Sequence, residues 1–351
     1  MAVLALVLAV AGCGSSDDGG GGPKIALLLP ENETPRYESA DRPYFEEKVE
    51  EICEDCEVLY SNAGGDASKQ QSQAEAALTQ GAEVLVLDPM DAKSAAAMVE
   101  KAKAQNVPVL SYDRLIENAE VDWYVSFDNE KVGELQAETL AKKLKEDGSA
   151  SGPIVMINGD PADSNAALFK AGAHKGFDTA GIDVAKEYDT PGWSAENAQN
   201  EMQQAITALG KTGFNGVYAA NDDTGGGAIA AMKSAGIDPA EKPVTGQDAT
   251  VAGVQRILAG QQYMTVYKAI KPEAEISAEI AIALAEGKEP KAEMTDELDN
   301  GKTKVPSTLL EPVAVTKDNV KDTVIKDEFI SPGELCTGPY AAACKEAGIS
   351  G

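Results

Sequence analysis

The sequence predicts an α/β protein built from two doubly wound parallel-sheet domains that face each other across a cleft. Three observations carry this prediction. From Lys24 onward, short apolar runs of strand length alternate with helical stretches. The alternation starts again near Ile154. Three late segments, near 265–267, 274–286 and 308–315, then read as crossings that finish each sheet. The chain of 351 residues is long enough for about two domains. The expected division is 1–22 as a leader and tether, 23–126 plus 266–302 as one domain, and 127–265 plus 303–351 as the other.

In the first half, Lys24 to Leu29 is a buried strand, followed by a helix from about Arg42 to Cys53 and a strand from Glu57 to Tyr60. Ser68 to Gln80 reads as a helix stopped by Gly81. A strand over 83–87, a helix over 92–105 and a strand over 107–111 complete a β-α-β-α-β series, the signature of a parallel sheet with helices on both faces. In the second half, strands are expected over 154–157, 184–188, 216–219 and 244–246, alternating with helices over 165–180, 195–209, 225–235 and 249–259. Two such domains place their functional groups at the carboxyl ends of the strands, in the crevice between them. There is no helix-turn-helix headpiece in this pattern.

Composition narrows the function. Acidic residues outnumber basic ones 58 to 30, for a net charge of −28. Such a chain is repelled by phosphate backbones and anionic membrane surfaces, so no nucleic-acid partner is expected. The single histidine, His174, excludes histidine-pair metal sites and reads as a surface residue. No calcium-loop spacing occurs, and neither a metal nor a cofactor is expected.

The first residues read as a secretory leader rather than as fold. The apolar run from Ala2 to Ala11 is too short to span a bilayer, which takes about 20 residues. Small residues before Cys13 resemble a bacterial lipobox, which implies a lipid on Cys13 and an extracytoplasmic protein tethered to the outer face of the cell membrane, or held in the periplasm. No Lys or Arg precedes the apolar run, which points to a natural start upstream of Met1. Gly14 to Gly22 has the composition of a flexible tether. The remaining four cysteines form two local pairs, Cys53 with Cys56 and Cys336 with Cys344. Both are expected to close as disulfides in an oxidising compartment. A redox dithiol or half a zinc site is the alternative for the first pair.

Polar and aromatic residues gather in the loops after the strands. These are Arg36 and Tyr37, Asp113 and Arg114, Asn165, Trp193, Asn221, Asp248 and Lys268. A sugar hydroxyl both donates and accepts, so it needs carboxylate or amide oxygens on one side and N–H groups on the other. Flat rings cover the apolar C–H faces of a sugar. Taken singly, Asn165, Asn221 and Asp248 are helix caps, Arg36 and Arg114 are surface charges, and Trp193 is interface packing. Their joint placement at strand ends in both halves makes them candidate ligand contacts.

Several long runs in order resemble the D-xylose-binding proteins of bacterial ABC sugar transporters, within the type I periplasmic binding-protein family. They include Ser111-Tyr112-Asp113-Arg114-Leu115-Ile116, the stretch from Tyr124 to Ala137, Asn165-Ala166-Ala167-Leu168-Phe169, Asn221-Asp222-Asp223-Thr224, Gly246-Gln247-Asp248-Ala249, and Met264-Thr265-Val266-Tyr267-Lys268. The likeness runs from Lys24 to about Phe329 and leaves out the tail with Cys336 and Cys344. It implies two domains, three hinge crossings and closure on one monosaccharide, with Asp113, Arg114, Asn165, Asn221, Asp248 and Lys268 as polar contacts and Trp193 as a stacking ring. Arg36 and Tyr37 join the set through an alignment that needs one inserted residue. The implied partners are the sugar and the ABC permease subunits, and the implied state is a monomer. Xylose, another pentose or a hexose fits the family, and so does a sensing receptor feeding a chemotaxis or signalling system. An enzyme using Asp113 and Asp248 as an acid–base pair is the third reading; no catalytic residue is expected.

Overall fold

The computed structural model describes residues 21–349. Cys13 and the tether as far as Gly20 lie outside the described residues. The strands in chain order are β1 (Lys24–Leu29), β2 (Glu57–Asn62), β3 (Val84–Leu87), β4 (Val109–Tyr112), β5 (Trp123–Phe127), β6 (Ile154–Asn158), β7 (Val184–Asp189), β8 (Gly216–Ala219), β9 (Met264–Tyr267), β10 (Asp296–Asp299), β11 (Lys304–Leu310) and β12 (Val313–Thr316). They assort into two α/β halves.

The first half has a seven-stranded sheet in the order β10-β11-β5-β4-β3-β1-β2, parallel except for the β10–β11 edge. Its central strands are buried on both faces, as the unbroken apolar run of β1 and the Val84-Leu85-Val86-Leu87 run of β3 require. The second half has a parallel β7-β6-β8 sheet and an antiparallel β9–β12 pair. Backbone hydrogen bonds from Thr245 to Val217 and from Val266 to Gly246 join the two through the segment 243–248. The expected strand at 244–246 is therefore an irregular one that forms a single bridge to β8. The whole is the type I periplasmic binding-protein fold.

The chain crosses between the halves three times: from β5 into the helix Asn129–Glu146, from β9 into the helix Ile270–Ala285, and from β11 into β12. The last crossing corrects the expected boundary at 302/303. Lys304–Leu310 pairs with β5 in the first sheet, and the chain leaves only at Glu311-Pro312. The expected single segment at 308–315 is thus two strands in two sheets, because Pro312 has no N–H to continue a ladder. The expected helix over 92–105 shortens to Ala96–Lys103. Strand β5 and the helix Asn129–Glu146 stand between the two expected series of strands and helices.

Two features of the second half bear on the cleft. The helix Ser164–Ala180 starts at Asp163, whose side chain accepts from Asn165 N, and the helix Asp222–Ser234 starts in a capping box between Asn221 and Thr224. The helices Asn129–Glu146 and Ser164–Ala180 touch at glycine: a Cβ on Gly133 would lie 1.9 Å from the Phe169 carbonyl oxygen. This close approach sets the position of Phe169.

Both cysteine pairs close. Cys53–Cys56 and Cys336–Cys344 are bonded, with Cα separations of 5.3 and 5.7 Å. The tail folds back, and Leu335, Cys344 and Ile349 pack with Val254, Ile257 and Leu258 of the second half.

Candidate functional site

The carboxyl ends of the strands in both halves converge on one cavity with about 280 Å³ of empty space. All nine residues singled out from the sequence line it. Arg36 and Tyr37 arrive after β1, Asp113 and Arg114 after β4, and Asn165 after β6. Trp193 follows β7, Asn221 follows β8, Asp248 follows the irregular strand, and Lys268 follows β9.

Asp113 is the hub. Its carboxylate lies 2.9 Å from Arg36 Nη2 and 3.7 Å from Lys268 Nζ, and Tyr37 OH donates to it at 3.4 Å. Its backbone carbonyl accepts from Ser126 Oγ at 2.6 Å, from Tyr124 OH at 2.9 Å and from Asn165 Nδ2 at 2.9 Å. The last bond joins the halves. Burial pushes the Asp113 carboxyl up, but Arg36, Lys268 and Arg114 together outweigh it and hold it down to about 2. Lys268 also faces Asp248, at 3.5 Å.

Arg114 is the second tie between halves. Only 2% exposed, it reaches Asp163 with Nε at 3.0 Å and donates from Nη2 to Tyr37 OH at 3.0 Å. Asp163 in turn accepts from Trp193 Nε1 at 3.1 Å, and Phe169 meets the indole edge-on with centroids 6.3 Å apart. Asp113, Trp193 and Asp248 all hold φ values of +54°, +54° and +84°, in the left-handed region that costs non-glycine residues energy. Strain of this kind collects at sites whose surroundings over-determine the backbone.

The cap reading and the cavity reading hold together at Asn221 alone; Asp163 caps the helix that contains Asn165, and Thr250 caps the helix after Asp248. Asn221 Oδ1 accepts from Thr224 N at 2.9 Å, so the cap uses its oxygen and leaves its amide nitrogen for the cavity. Asn165 spends its oxygen on Asn129 Nδ2 at 3.0 Å and one amide hydrogen on Asp113. Four further residues line the cavity: Thr34, Asp163, Phe169 and Gln247. Asp163, in the polar loop after β6, and Phe169 were not among the residues singled out from the sequence.

The charge around the cavity is lopsided. The buried cations Arg36, Arg114 and Lys268 face seven buried carboxyl groups: Glu31, Asp41, Asp88, Asp113, Asp163, Asp248 and Glu273. Burial pushes Asp88 and Glu273 well above the ordinary carboxylate range and raises Glu31, Asp41 and Asp163 as well. A site so arranged offers fixed charges that are already paired with each other, hydroxyl-sized donors and acceptors, and two rings. It suits a small neutral polyol.

The chain is 42% identical over 316 residues to the D-xylose-binding periplasmic protein of Escherichia coli (strain K12), covering 89% of this chain and 92% of that one. It is 41% identical to the D-xylose-binding periplasmic protein of Haemophilus influenzae (strain ATCC 51907 / DSM 11121 / KW20 / Rd), covering 87% and 90%. Among solved structures, an ABC transporter solute binding protein from Clostridium phytofermentans with bound β-D-glucose superposes with a TM-score of 0.81, at 29% identity, over 89% of this chain and 99% of that one. These similarities are to solute-binding proteins, not to enzymes. The family profile described as the periplasmic binding protein domain matches residues 25–289, and the chain belongs to that family.

Proposed function

We propose that this chain is the extracytoplasmic receptor of an ABC sugar importer and that it takes one monosaccharide, D-xylose, in the cavity between its halves. The observation that carries the reading is the convergence of Asp113, Arg114, Trp193, Asn221, Asp248 and Lys268, drawn from both halves, on one small cavity. The D-xylose-binding relatives over nine-tenths of the chain support the choice of sugar.

In this reading the sugar's hydroxyls bond to Asp113, Asp248, Arg114, Lys268 and the Asn221 amide, while Trp193 and Phe169 cover its C–H faces. Every one of these polar groups loses water when the halves close. A sugar that lacks a hydroxyl or turns one the wrong way leaves a buried partner unmade, which is what rejects it. Closure about the three crossings presents a composite surface to the permease. A lipid on Cys13 holds the receptor at the membrane, as a monomer.

Calorimetric titration of the chain with D-xylose, ribose, arabinose, glucose and galactose tests the reading. One-to-one binding of xylose with much weaker binding of the others is expected. Binding of another sugar in its place overturns the choice of ligand, and no binding of any sugar overturns the receptor reading. Mass spectrometry of the mature N-terminus tests the anchor: a diacylglyceryl group on Cys13 is expected, and an unmodified Cys13 refutes it.

A further inference from the structure

Behind the cavity, in the first turn of the helix Ile270–Ala285, stands Glu273, which is fully buried. Neither of its oxygens has a hydrogen-bond partner among the described residues. Ser277, one turn further on the same helix face, is equally buried, and its hydroxyl is also without a partner. The charged and titratable groups that act on Glu273 come from four places in the fold. They are Arg36 and Asp41 from the loop after β1, Tyr112 and Asp113 from the end of β4, Tyr124 from β5, and Lys268 from the end of β9.

Arg36 is the contested group. Its Nη2 lies 2.9 Å from Asp113 and 3.3 Å from Asp41, and its Nη1 has no hydrogen-bond partner. A third anion in this shell would compete with Asp113 for both Arg36 and Lys268. An unpaired carboxylate in such a place is also too costly to keep, and the group takes up a proton instead. Burial, and then the nearby Asp113, push the Glu273 carboxyl well above its ordinary range against the pull of Arg36.

We propose that Glu273 is a neutral, proton-bearing positioning residue that backs Arg36 without competing for it, so that Arg36 and Lys268 stay turned to Asp113 and the cavity. The proton half of this stands on the fold alone; the positioning half rests on the sugar-binding reading.

The test compares the full chain with its Glu273→Gln variant, since glutamine keeps the shape of the neutral acid. Denaturant unfolding without sugar is measured from pH 5 to 8. In the unfolded chain the Glu273 proton leaves near the ordinary value of about 4.3. The stability from the retained proton is therefore full below that pH and is lost as pH rises towards the folded value. The folding equilibrium of the wild type, relative to E273Q, is expected to fall by up to about tenfold per pH unit. A ratio that does not change with pH, or that rises, overturns the proposal whether or not any sugar binds. Where the ratio stops falling, Glu273 has ionised in the folded chain. Across that pH, the wild-type Kd for D-xylose is expected to weaken by about fivefold or more against E273Q. An unchanged Kd ratio there overturns the positioning role. If E273Q does not fold, infrared spectra of the wild type with ¹³C-labelled glutamate read the same proton. A labelled carboxylic-acid band that persists at pH 8 supports the proposal, and its absence overturns it.

Discussion

Gly159 follows β6 and lies against the Trp193 ring. A Cβ at this position would come within 2.0 Å of Cη2, 2.3 Å of Cζ2 and 2.7 Å of Cζ3. Carbon atoms are comfortable at about 3.5–4.0 Å, so Gly159→Ala forces the ring to move by roughly 1.5 Å. The indole lines the cavity and is otherwise buried, so in a close-packed interior the expected direction of its shift is into the cavity. In the free protein the ring can make that move by loosening its Asp163 bond, and the fold should lose no more than about 1 kcal/mol. With sugar bound, the same space is contested. Overpacking then costs about 1–3 kcal/mol, charged to the complex. This corresponds to a D-xylose Kd about 5- to 150-fold weaker. Calorimetry gives the affinity, and thermal melting with and without D-xylose gives the share of the loss that belongs to the fold. Wild-type affinity combined with a lowered melting temperature would refute the reasoning, because the ring would then have yielded away from the ligand.

Three further outcomes are expected. Arg114→Lys replaces a fork that serves Asp163 and Tyr37 with a single point charge, and breaking a buried pair of this kind costs about 3–5 kcal/mol, so D-xylose affinity should drop by about 100-fold or more; near-native affinity by titration contradicts the assignment. Stability should peak near pH 4 and decline towards pH 7. Asp113, held at about 2, stabilises above its unfolded value and loses this as pH falls through 2, whereas burial lifts Asp222 to about 6 and Asp223 to about 7, so their contributions are lost as pH rises through those values. Urea midpoints that climb steadily from pH 4 to 7 would show the opposite balance. Replacing Cys336 and Cys344 by serine opens a short loop and should cost about 2–3 kcal/mol in unfolding free energy while leaving sugar affinity unchanged; a loss of affinity would mean that the tail shapes the cleft.

The alternation of apolar runs and helical stretches sufficed for the two-half architecture, because parallel strands buried on both faces leave an unbroken apolar mark. It did not suffice where a chain segment changes sheets. Leu309 and Leu310 look no different in sequence from Val313, yet Pro312 stands between two strands of different halves. The cavity residues at strand ends were legible because the fold class itself fixes where strand ends go. Phe169 was not, since an apolar helix position has a sufficient local explanation, and Asp163 stood in a polar loop where Asn165 alone was singled out. Glu31, Asp41, Asp88 and Glu273 left no mark at all. A carboxyl group in sequence reads as surface, and only packing reveals that these four are buried behind the arginines.

The ties between the halves do not pass through a ligand. Arg114 reaches Asp163, Asn165 donates to the Asp113 carbonyl, and Ala92 N donates to Ala162 O at 3.1 Å. The contact between the halves thus has protein–protein ties of its own, and one of them is a buried ion pair. Bringing such a pair together strips water from both charges, a penalty that can equal their attraction, while water left in the cleft screens that attraction. If the cleft opens as proposed, Arg114 and Asp163 are hydrated in the open state, and bringing them together around a wet space returns little. A sugar that fills the space excludes the water that screens the pair. On this argument the sugar's contribution to closure exceeds its own hydrogen bonds, since it also raises the worth of the Arg114–Asp163 contact. The two residues and the ligand then form one coupled unit, and the effects of changing them should be non-additive. Arg114→Lys and Asp163→Asn combined should cost the D-xylose affinity clearly less than the sum of the single losses, with an interaction energy of about 0.5–3 kcal/mol in a double-mutant cycle. Strict additivity would mean that Arg114 and Asp163 act on the sugar separately and that the pair plays no part in holding the halves together.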